Sequence, residues 1–424
     1  MVKDAEYGSL LARILEESHQ TEPGQLPVLV ERAAAALGLR SARILLSDIQ
    51  QHRLVPLIPP GRTDERNDRH HEPREEQGQE QEQGQRSAGS GEEGGALAVD
   101  GTLAGWAYRT VSMRLSQSEG ALKVWLPLVD GIERIGVLEI VCESLDPALL
   151  ERCKALADLS ALIVVSRTEY SDAILQTVRS RPMSLAAEMV WAFLPPRTLG
   201  TGRVTSSAVL EPAYEIGGDA FDHSLMDGRL HLSVVDAMGH DLASGLASAV
   251  AMAGCRCARR AGKSLDGVAV TVDEALGRWI PDRLLTAVFA DLDLDAGTFT
   301  WINCGHPPPL LIRGQHVITG ALQRESELPL GLGPAHADAP RTVHTAHLEP
   351  GDRVLIHTDG VTEAHSPDGD YFGEQRLADH IVRATAAGEK SPEALRRLIH
   401  TILEHQHGRL DDDATIVLAE WHPP

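Results

Sequence analysis

Between Ile216 and Asp241, acidic residues stand at the ends of apolar runs, and this placement restricts what the chain can fold into. Gly217-Gly218-Asp219-Ala220-Phe221-Asp222 is followed by Val234-Val235-Asp236-Ala237-Met238-Gly239-His240. Asp227-Gly228 lies between them, and Asp-Gly flanked by alternating runs is a strong short-range hairpin signal. The runs Ala208–Ile216 and Leu230–Asp236 are expected to pair, bringing Asp219 and Asp236 to one end of a sheet. Carboxylates that close repel unless a cation lies between them. Hard oxygen donors without Cys or His point to magnesium or manganese rather than zinc.

The chain has 424 residues, enough for two or three domains at roughly 150 residues each. Acidic residues number 61 against 39 basic, a formal net charge of -22, which argues against a nucleic-acid or anionic-membrane surface. The five cysteines (Cys142, Cys153, Cys255, Cys257 and Cys304) are scattered and odd in number, which suits a reducing compartment. Cys255-Arg-Cys257 lies in a helical apolar stretch and reads as small buried side chains rather than a metal pair. No basic-plus-apolar leader and no apolar run of about 18 residues is present, so a cytoplasmic protein without a membrane span is expected.

Residues Tyr7–Gly38 predict two helices, Arg43–Ser47 and Leu54–Ile58 short strands. Residues 61–95 are Glu, Gln, Arg, Gly and Ser with almost nothing apolar, which predicts a disordered insertion. Thr102–Thr110 predicts a short helix; Leu122–Leu128 and Arg134–Cys142 predict strands joined at Asp130-Gly131. Here the chain resembles a GAF domain, on Val99-Asp100-Gly101-Thr102-Leu103-Ala104-Gly105-Trp106-Ala107, Trp125-Leu126-Pro127-Leu128 and Gly136-Val137-Leu138-Glu139. The resemblance covers about Leu26–Val165 and implies an α/β sensor; no residue identifies a ligand, and a purely scaffolding or dimerising domain is the other reading. Asp146–Pro195 is dominated by helix, interrupted at Pro182, and suits a connector or a dimer seam.

Beyond Thr205, strands are expected at Leu230–Asp236, Ala287–Asp293, Thr298–Cys304, Pro309–Arg313, Arg353–Thr358 and Thr415–Glu420. Helices are expected at Leu242–Arg260, Ser264–Trp279, Glu374–Thr385 and Pro392–His405. This pattern fits an α+β layered sandwich. Four acidic clusters adjoin its apolar runs: Asp219 with Asp222, Asp236, Asp359, and Asp411-Asp412-Asp413. A single Asp at a strand end is common turn chemistry. Four such clusters, two of them ending strongly apolar strands where bare charge is costly, make sense around a shared metal centre.

Six ordered motifs carry a second resemblance. They are Gly217-Gly218-Asp219-Ala220-Phe221-Asp222, Asp236-Ala237-Met238-Gly239-His240, Asn303-Cys304-Gly305-His306-Pro307-Pro308-Pro309, Leu328-Pro329-Leu330-Gly331, Thr358-Asp359-Gly360-Val361-Thr362-Glu363-Ala364 and Asp412-Asp413-Ala414-Thr415. Over about residues 200–421 the chain resembles the SpoIIE-like branch of the PPM-type, metal-dependent Ser/Thr protein phosphatases. The resemblance implies a C-terminal α-β-β-α layered sandwich and two Mn2+ or Mg2+ ions. Its ligands fall on Asp219, Asp236, the Ala237 carbonyl, Asp359 and Asp412, with Asp413 exchangeable for Asp412. Asp219, Asp236 and Asp359 would be the catalytic residues, acting through metal-activated water with no covalent phosphoenzyme. Asp222 is expected outside the ligand set or at an extra ion. Asp241 stands where relatives often have Gly and is expected to affect phosphosubstrate approach. His240 is a candidate to protonate the leaving oxygen, His306 to fix a turn, and His357 to be a strand residue.

The domains expected are 1–165 for the GAF-like sensor, 166–199 for a helical linker and 200–424 for the phosphatase. The partner implied is a phosphorylated anti-sigma factor antagonist or similar phosphoprotein, with a homodimer formed through the linker. A catalytically silent scaffold of the same fold is the alternative, disfavoured because all four ligand positions are acidic. A third reading keeps the metals but takes a small phosphoester. No Gly-x-Ser-x-Gly elbow or Gly-x-x-x-x-Gly-Lys-Ser/Thr loop is present, which removes a serine hydrolase and a P-loop enzyme.

Overall fold

The computed structural model describes residues 4–59, 95–118, 120–215, 217–239, 241–325, 327–332, 341–408 and 410–423. The expected insertion at 61–95 lies outside them except for Gly95. The chain divides into two compact units, residues 1–180 apart from the 131–133 turn, and residues 181–424.

The first unit opens with helices α1 (Asp4–Gln20) and α2 (Leu26–Ala36). Strands β1 (Ser41–Ser47), β2 (Arg53–Pro56) and β3 (Leu97–Ala98) follow, then α3 (Leu103–Thr110). Strands β4 (Arg114–Ser118), β5 (Ala121–Asp130) and β6 (Glu133–Cys142) complete one sheet of order β3-β2-β1-β6-β5-β4. The Gly101–Gly105 segment has a physical reason for its residues. Thr102 caps α3 by accepting the Gly105 N–H at 3.0 Å, and a Cβ on Gly105 would stand 1.9 Å from the Val99 carbonyl oxygen.

The helical stretch after β6 is three helices, not one interrupted at Pro182 alone. They are α4 (Pro147–Thr168), α5 (Asp172–Val178) and α6 (Leu185–Trp191), with Ser171 and Ser184 capping the second and third. The chain therefore breaks at two Ser caps, which offer the backbone amides a local acceptor in place of continued helix. Cys153, Leu156, Ala157, Ala161 and Val164 of α4 are buried in the same core as β1, β6 and α2.

In the second unit, β7 (Thr198–Thr201), β8 (Val204–Glu211), β9 (Asp219–Met226) and β10 (Arg229–Ala237) lead into α7 (Leu242–Arg260) and α8 (Leu265–Trp279). Strands β11 (Leu285–Asp293), β12 (Thr298–Cys304), β13 (Leu310–Arg313), β14 (His316–Val317), β15 (His344–His347) and β16 (Arg353–His357) follow. The unit ends with α9 (Asp359–Thr362), α10 (Gly373–Ala386), α11 (Ser391–His405) and β17 (Ala414–Trp421). Two antiparallel sheets result, ordered β15-β12-β11-β10-β9 and β14-β13-β16-β17-β8-β7.

Period-two alternation in β16 and β17 splits their side chains between two cores. Val354, Ile356, Val417 and Ala419 join the core that holds the five-stranded sheet, α7 and α8. Leu355, Ile416 and Leu418 join α10 and α11 through Leu377, Ile381, Leu398 and Ile402.

One expected pairing is wrong. Leu230–Asp236 pairs with β9 across the Asp227-Gly228 turn, not with Ala208–Ile216. Ala208–Glu211 lies in β8, which pairs with β7 and β17 in the other sheet. A two-residue turn joins only the segments it directly separates, so residues 219–226 were the proper partner. Their polar sequence had hidden the strand.

Leu355 is fully buried where β16 meets the helices. Leu355→Ala is expected to lower the unfolding free energy by about 2–5 kcal/mol, read from the urea midpoint at unchanged slope.

Candidate metal centre

The hairpin sets the first two acids. Asp219 begins β9, Asp236 lies one residue from the end of β10, and the antiparallel register makes them direct partners. Asp359 stands where β16 gives way to α9, and Asp412 and Asp413 immediately precede β17. Because β16 pairs with β17, the last two clusters are neighbours by register, with His357 opposite Ile416.

Asp413 joins the two sheets. Its Oδ2 accepts the backbone N–H groups of Gly217 at 2.9 Å, Gly218 at 2.6 Å and Asp219 at 3.3 Å. Thr358 adds a second tie, donating its hydroxyl to Asp219 Oδ2 at 2.7 Å and accepting the Thr415 N–H at 2.9 Å. Gly218 is required by crowding. A Cβ there would stand 2.4 Å from the Ala237 carbonyl oxygen and 2.7 Å from that of Gly239, so the turn and the 237–239 loop carbonyls share one small space. Gly360 is equally confined, its Cβ position lying 2.0 Å from the Asp413 carbonyl oxygen.

The acids feel one another. Burial, then Asp236 and Asp413, hold the Asp219 carboxyl well above the usual carboxylate range. Burial first, with Asp359, Asp412 and Asp413 adding, pushes Asp236 up to about 7. Asp359 is raised by burial and by Asp412. Asp413 is raised by burial, against the pull of its three amides. Asp412 is exposed, with Oδ1 accepting the Asp413 N–H at 2.9 Å.

Among the described residues none of these five acids is paired with Arg or Lys. Asp222, three residues along β9 from Asp219, shows the contrast. It is 2% exposed, and its carboxylate is taken by Arg256 and Arg259, both at 2.7 Å. It is thus neutralised by α7. Asp219 is as deeply buried with no such partner.

Among the described residues no three Asp, Glu, His or Cys side chains are already drawn in tightly enough to enclose an ion. The donor chemistry nevertheless fits divalent ions: mutually repelling carboxylates without cationic partners, a crowded backbone carbonyl at Ala237, and no soft ligand.

The remaining candidates separate. His240 lies outside the described residues. Asp241 caps α7, accepting the Ser244 N–H at 2.8 Å, and takes Arg283 at 2.9 Å; these contacts lower its carboxyl to about 2. The turn at His306 is fixed by Asn303, whose side chain accepts the His306 N–H at 2.8 Å and donates to its carbonyl at 2.7 Å. The His306 ring instead meets Thr286 Oγ at 2.7 Å, and burial drives its pKa to about 3. His357 ends β16, buried, its pKa lowered by burial. Thr358, Asn303 and Arg283 were not singled out from sequence. The first two lie inside motifs, while Arg283 carries no local signal.

Residues 226–422 match the family model described as "Stage II sporulation protein E (SpoIIE)". A SpoIIE-type phosphatase domain is thereby supported for the second unit. Among curated proteins, the Bacillus subtilis phosphoserine phosphatase RsbU is 20% identical over 250 residues, 57% of this chain and 72% of RsbU. Protein IcfG of Synechocystis is 29% identical over 136 residues, 31% of this chain and only 20% of IcfG. Among solved structures, the SiaA-PP2C domain of Pseudomonas aeruginosa is 21% identical, covering 56% of this chain and 94% of that one, at a TM-score of 0.46. Of these relatives, RsbU is named a phosphoserine phosphatase.

The raised carboxyl of Asp236 has a sign that can be tested. Its folded-state pKa of about 7 exceeds the ordinary 3.8, so between those values the folded chain holds the proton more tightly than the unfolded chain. Stability is therefore lost as pH rises from 4 through 7. In EDTA, Asp236→Asn should be more stable than wild type at pH 8, on the order of 2 kcal/mol, and no more stable at pH 4. Saturating Mn2+ should reverse the order at pH 8, since the wild type then gains the binding energy. Chemical denaturation at the two pH values measures both.

Proposed function

We propose that the second unit is a metal-dependent protein phosphatase that removes phosphate from serine or threonine of a phosphoprotein. The observation that carries this reading is the meeting of Asp219, Asp236, Asp359 and Asp412-Asp413, from three separated stretches, with no Arg or Lys partner among the described residues. Asp219, Asp236, the Ala237 carbonyl, Asp359 and Asp412 would hold the ions. Asp413 is assigned the clamp instead, because its buried Oδ2 already serves three amides while Asp412 is exposed. The chemistry supplied by a pair of divalent ions in such a site is water activation and neutralisation of phosphoryl charge. The chain's own part is to fix the acids: Thr358 orients Asp219, Asp413 sets the 217–219 turn, and Gly218 lets the Ala237 carbonyl approach. Two sheets, one sharing a core with α7 and α8 and the other with α10 and α11, support reading the unit as the layered phosphatase sandwich that the sequence motifs imply.

The substrate class follows the resemblance: a phosphorylated antagonist of an anti-sigma factor, or a protein like it. RsbU, which this chain resembles, is named a phosphoserine phosphatase. The first unit is assigned the role of a GAF-like sensor, and the helices after β6 that of a connector and dimer seam. Among the described residues no helix is long and apolar enough to cross a membrane.

Phosphate release from a phosphoserine protein is expected to depend on Mn2+ or Mg2+ and to fall at least about a hundredfold in Asp236→Asn and in Asp359→Asn, the scale on which charge stabilisation acts in such sites. Equal release without metal, or by either variant, would refute the assignment. Binding of the phosphoprotein without turnover would favour the scaffold, and turnover of aryl phosphate alone a small phosphoester.

A further inference from the structure

The 236–241 loop also carries a cation. Arg283, just before β11, donates through Nη1 to the Met238 carbonyl at 3.3 Å and through Nη2 to Asp241 Oδ2 at 2.9 Å. Among the described residues it is the one Arg or Lys hydrogen-bonded to that loop. Its backbone is held from another side by the Leu328-Pro329-Leu330-Gly331 motif. A Cβ on Gly331, whose φ is +86°, would stand 2.1 Å from the Arg283 carbonyl oxygen. The Gly331 N–H donates to Asp273 Oδ1 at 2.6 Å, and Leu285 and Leu330 exchange both backbone hydrogen bonds. The base of Arg283 is thus fixed while its guanidinium reaches the loop.

That guanidinium is suited to an anion. Its side chain is 32% exposed. Two of the five N–H donors of a guanidinium serve Met238 and Asp241, which leaves three in a planar fork that matches phosphate oxygens. An arriving phosphate monoester meets an otherwise acidic neighbourhood, and Arg256 and Arg259 are already committed to Asp222.

We propose that Arg283 anchors the phosphoryl group: its guanidinium binds a phosphoryl oxygen at the rim of the 236–241 loop, and Asp241 competes with the phosphate for it. This rests on the phosphatase reading and adds to it a binding residue and a counterweight. Asp241 weakens the hold on phosphate, substrate or product alike, by sharing the same guanidinium and by its own negative charge. The cap on α7 does not need that charge, since Asn caps a helix as well as Asp.

The test uses the full-length protein loaded with Mn2+ and inorganic phosphate as the probe, titrated calorimetrically. Turnover of p-nitrophenyl phosphate and Mn2+ affinity by electron paramagnetic resonance are followed in parallel. Arg283→Ala should weaken phosphate binding about tenfold, the loss of a charge-assisted hydrogen bond. It should raise KM more than it lowers kcat, leave Mn2+ affinity unchanged, and respond to added guanidinium by partial recovery. Asp241→Asn should move phosphate binding the opposite way, tightening it about threefold, the scale of an exposed ion pair.

Unchanged phosphate affinity in Arg283→Ala overturns the proposal. So does weakening of both phosphate and Mn2+ binding in both variants, which would make the pair a brace for the loop, and so does a wild type that binds no phosphate with Mn2+ present. Phosphate binding that depends on Arg283, with no release from either p-nitrophenyl phosphate or a phosphoserine protein, sinks the phosphatase reading alone. Turnover with phosphate affinity indifferent to Arg283 sinks this proposal alone.

Discussion

One carboxylate oxygen holds the second unit's site together. Asp413 Oδ2 collects three consecutive amides nearly two hundred residues away in sequence, at Gly217, Gly218 and Asp219. Backbone N–H groups in a tight turn would otherwise be left without acceptors inside the protein, a cost of about 1–3 kcal/mol each. Satisfying them locks the start of β9 to the start of β17, and so one sheet to the other. Every acid in the cluster is placed by that lock or by a strand pairing next to it. Thr358 repeats the device on a smaller scale, bonding Asp219 with its hydroxyl while receiving Thr415.

The lock also explains why two neighbouring aspartates differ. Asp413 is buried and saturated with amides, whereas Asp412 is exposed. Their identical side chains take different environments because the 217–219 turn lies within reach of only one of them. Asp219 and Asp222 diverge in the same way. Both are buried in β9, but only Asp222 meets arginines from α7. A buried acid with a cation in place is finished structure, and one lacking it is an unfilled electrostatic demand.

Much of this was legible in the residues. Leu242–Arg260 was bounded correctly because an N-cap acid precedes an apolar periodicity and two arginines close it. Thr298–Cys304 was bounded by its β-branched and aromatic run. β9 was missed because Asp219, Asp222, His223 and Ser224 break the apolar alternation, since that strand carries chemistry on the positions that usually carry core. β4, β7 and the two-residue strands were too short or too polar to register. The convergence of acids was inferred from their positions at strand ends, whereas the particular bonds were not: which of Asp412 and Asp413 would take the amides depends on tertiary contacts that no local pattern records. Arg283 was invisible for the same reason, as its partners come from a loop more than forty residues earlier.

β17 has a consequence for how the second unit comes into being. It lies in the middle of its sheet, hydrogen-bonded to β16 on one side and β8 on the other, yet it is the last of these strands to be synthesised. Until residues 414–421 leave the ribosome, β8 and β16 each present a bare edge, and the 217–219 turn has no acceptor for its amides. The β9–β10 hairpin can bring Asp219 and Asp236 together by itself, but the full acid cluster is incomplete until the last strand is made, because Asp412, Asp413 and the acceptor for the 217–219 amides all come with it.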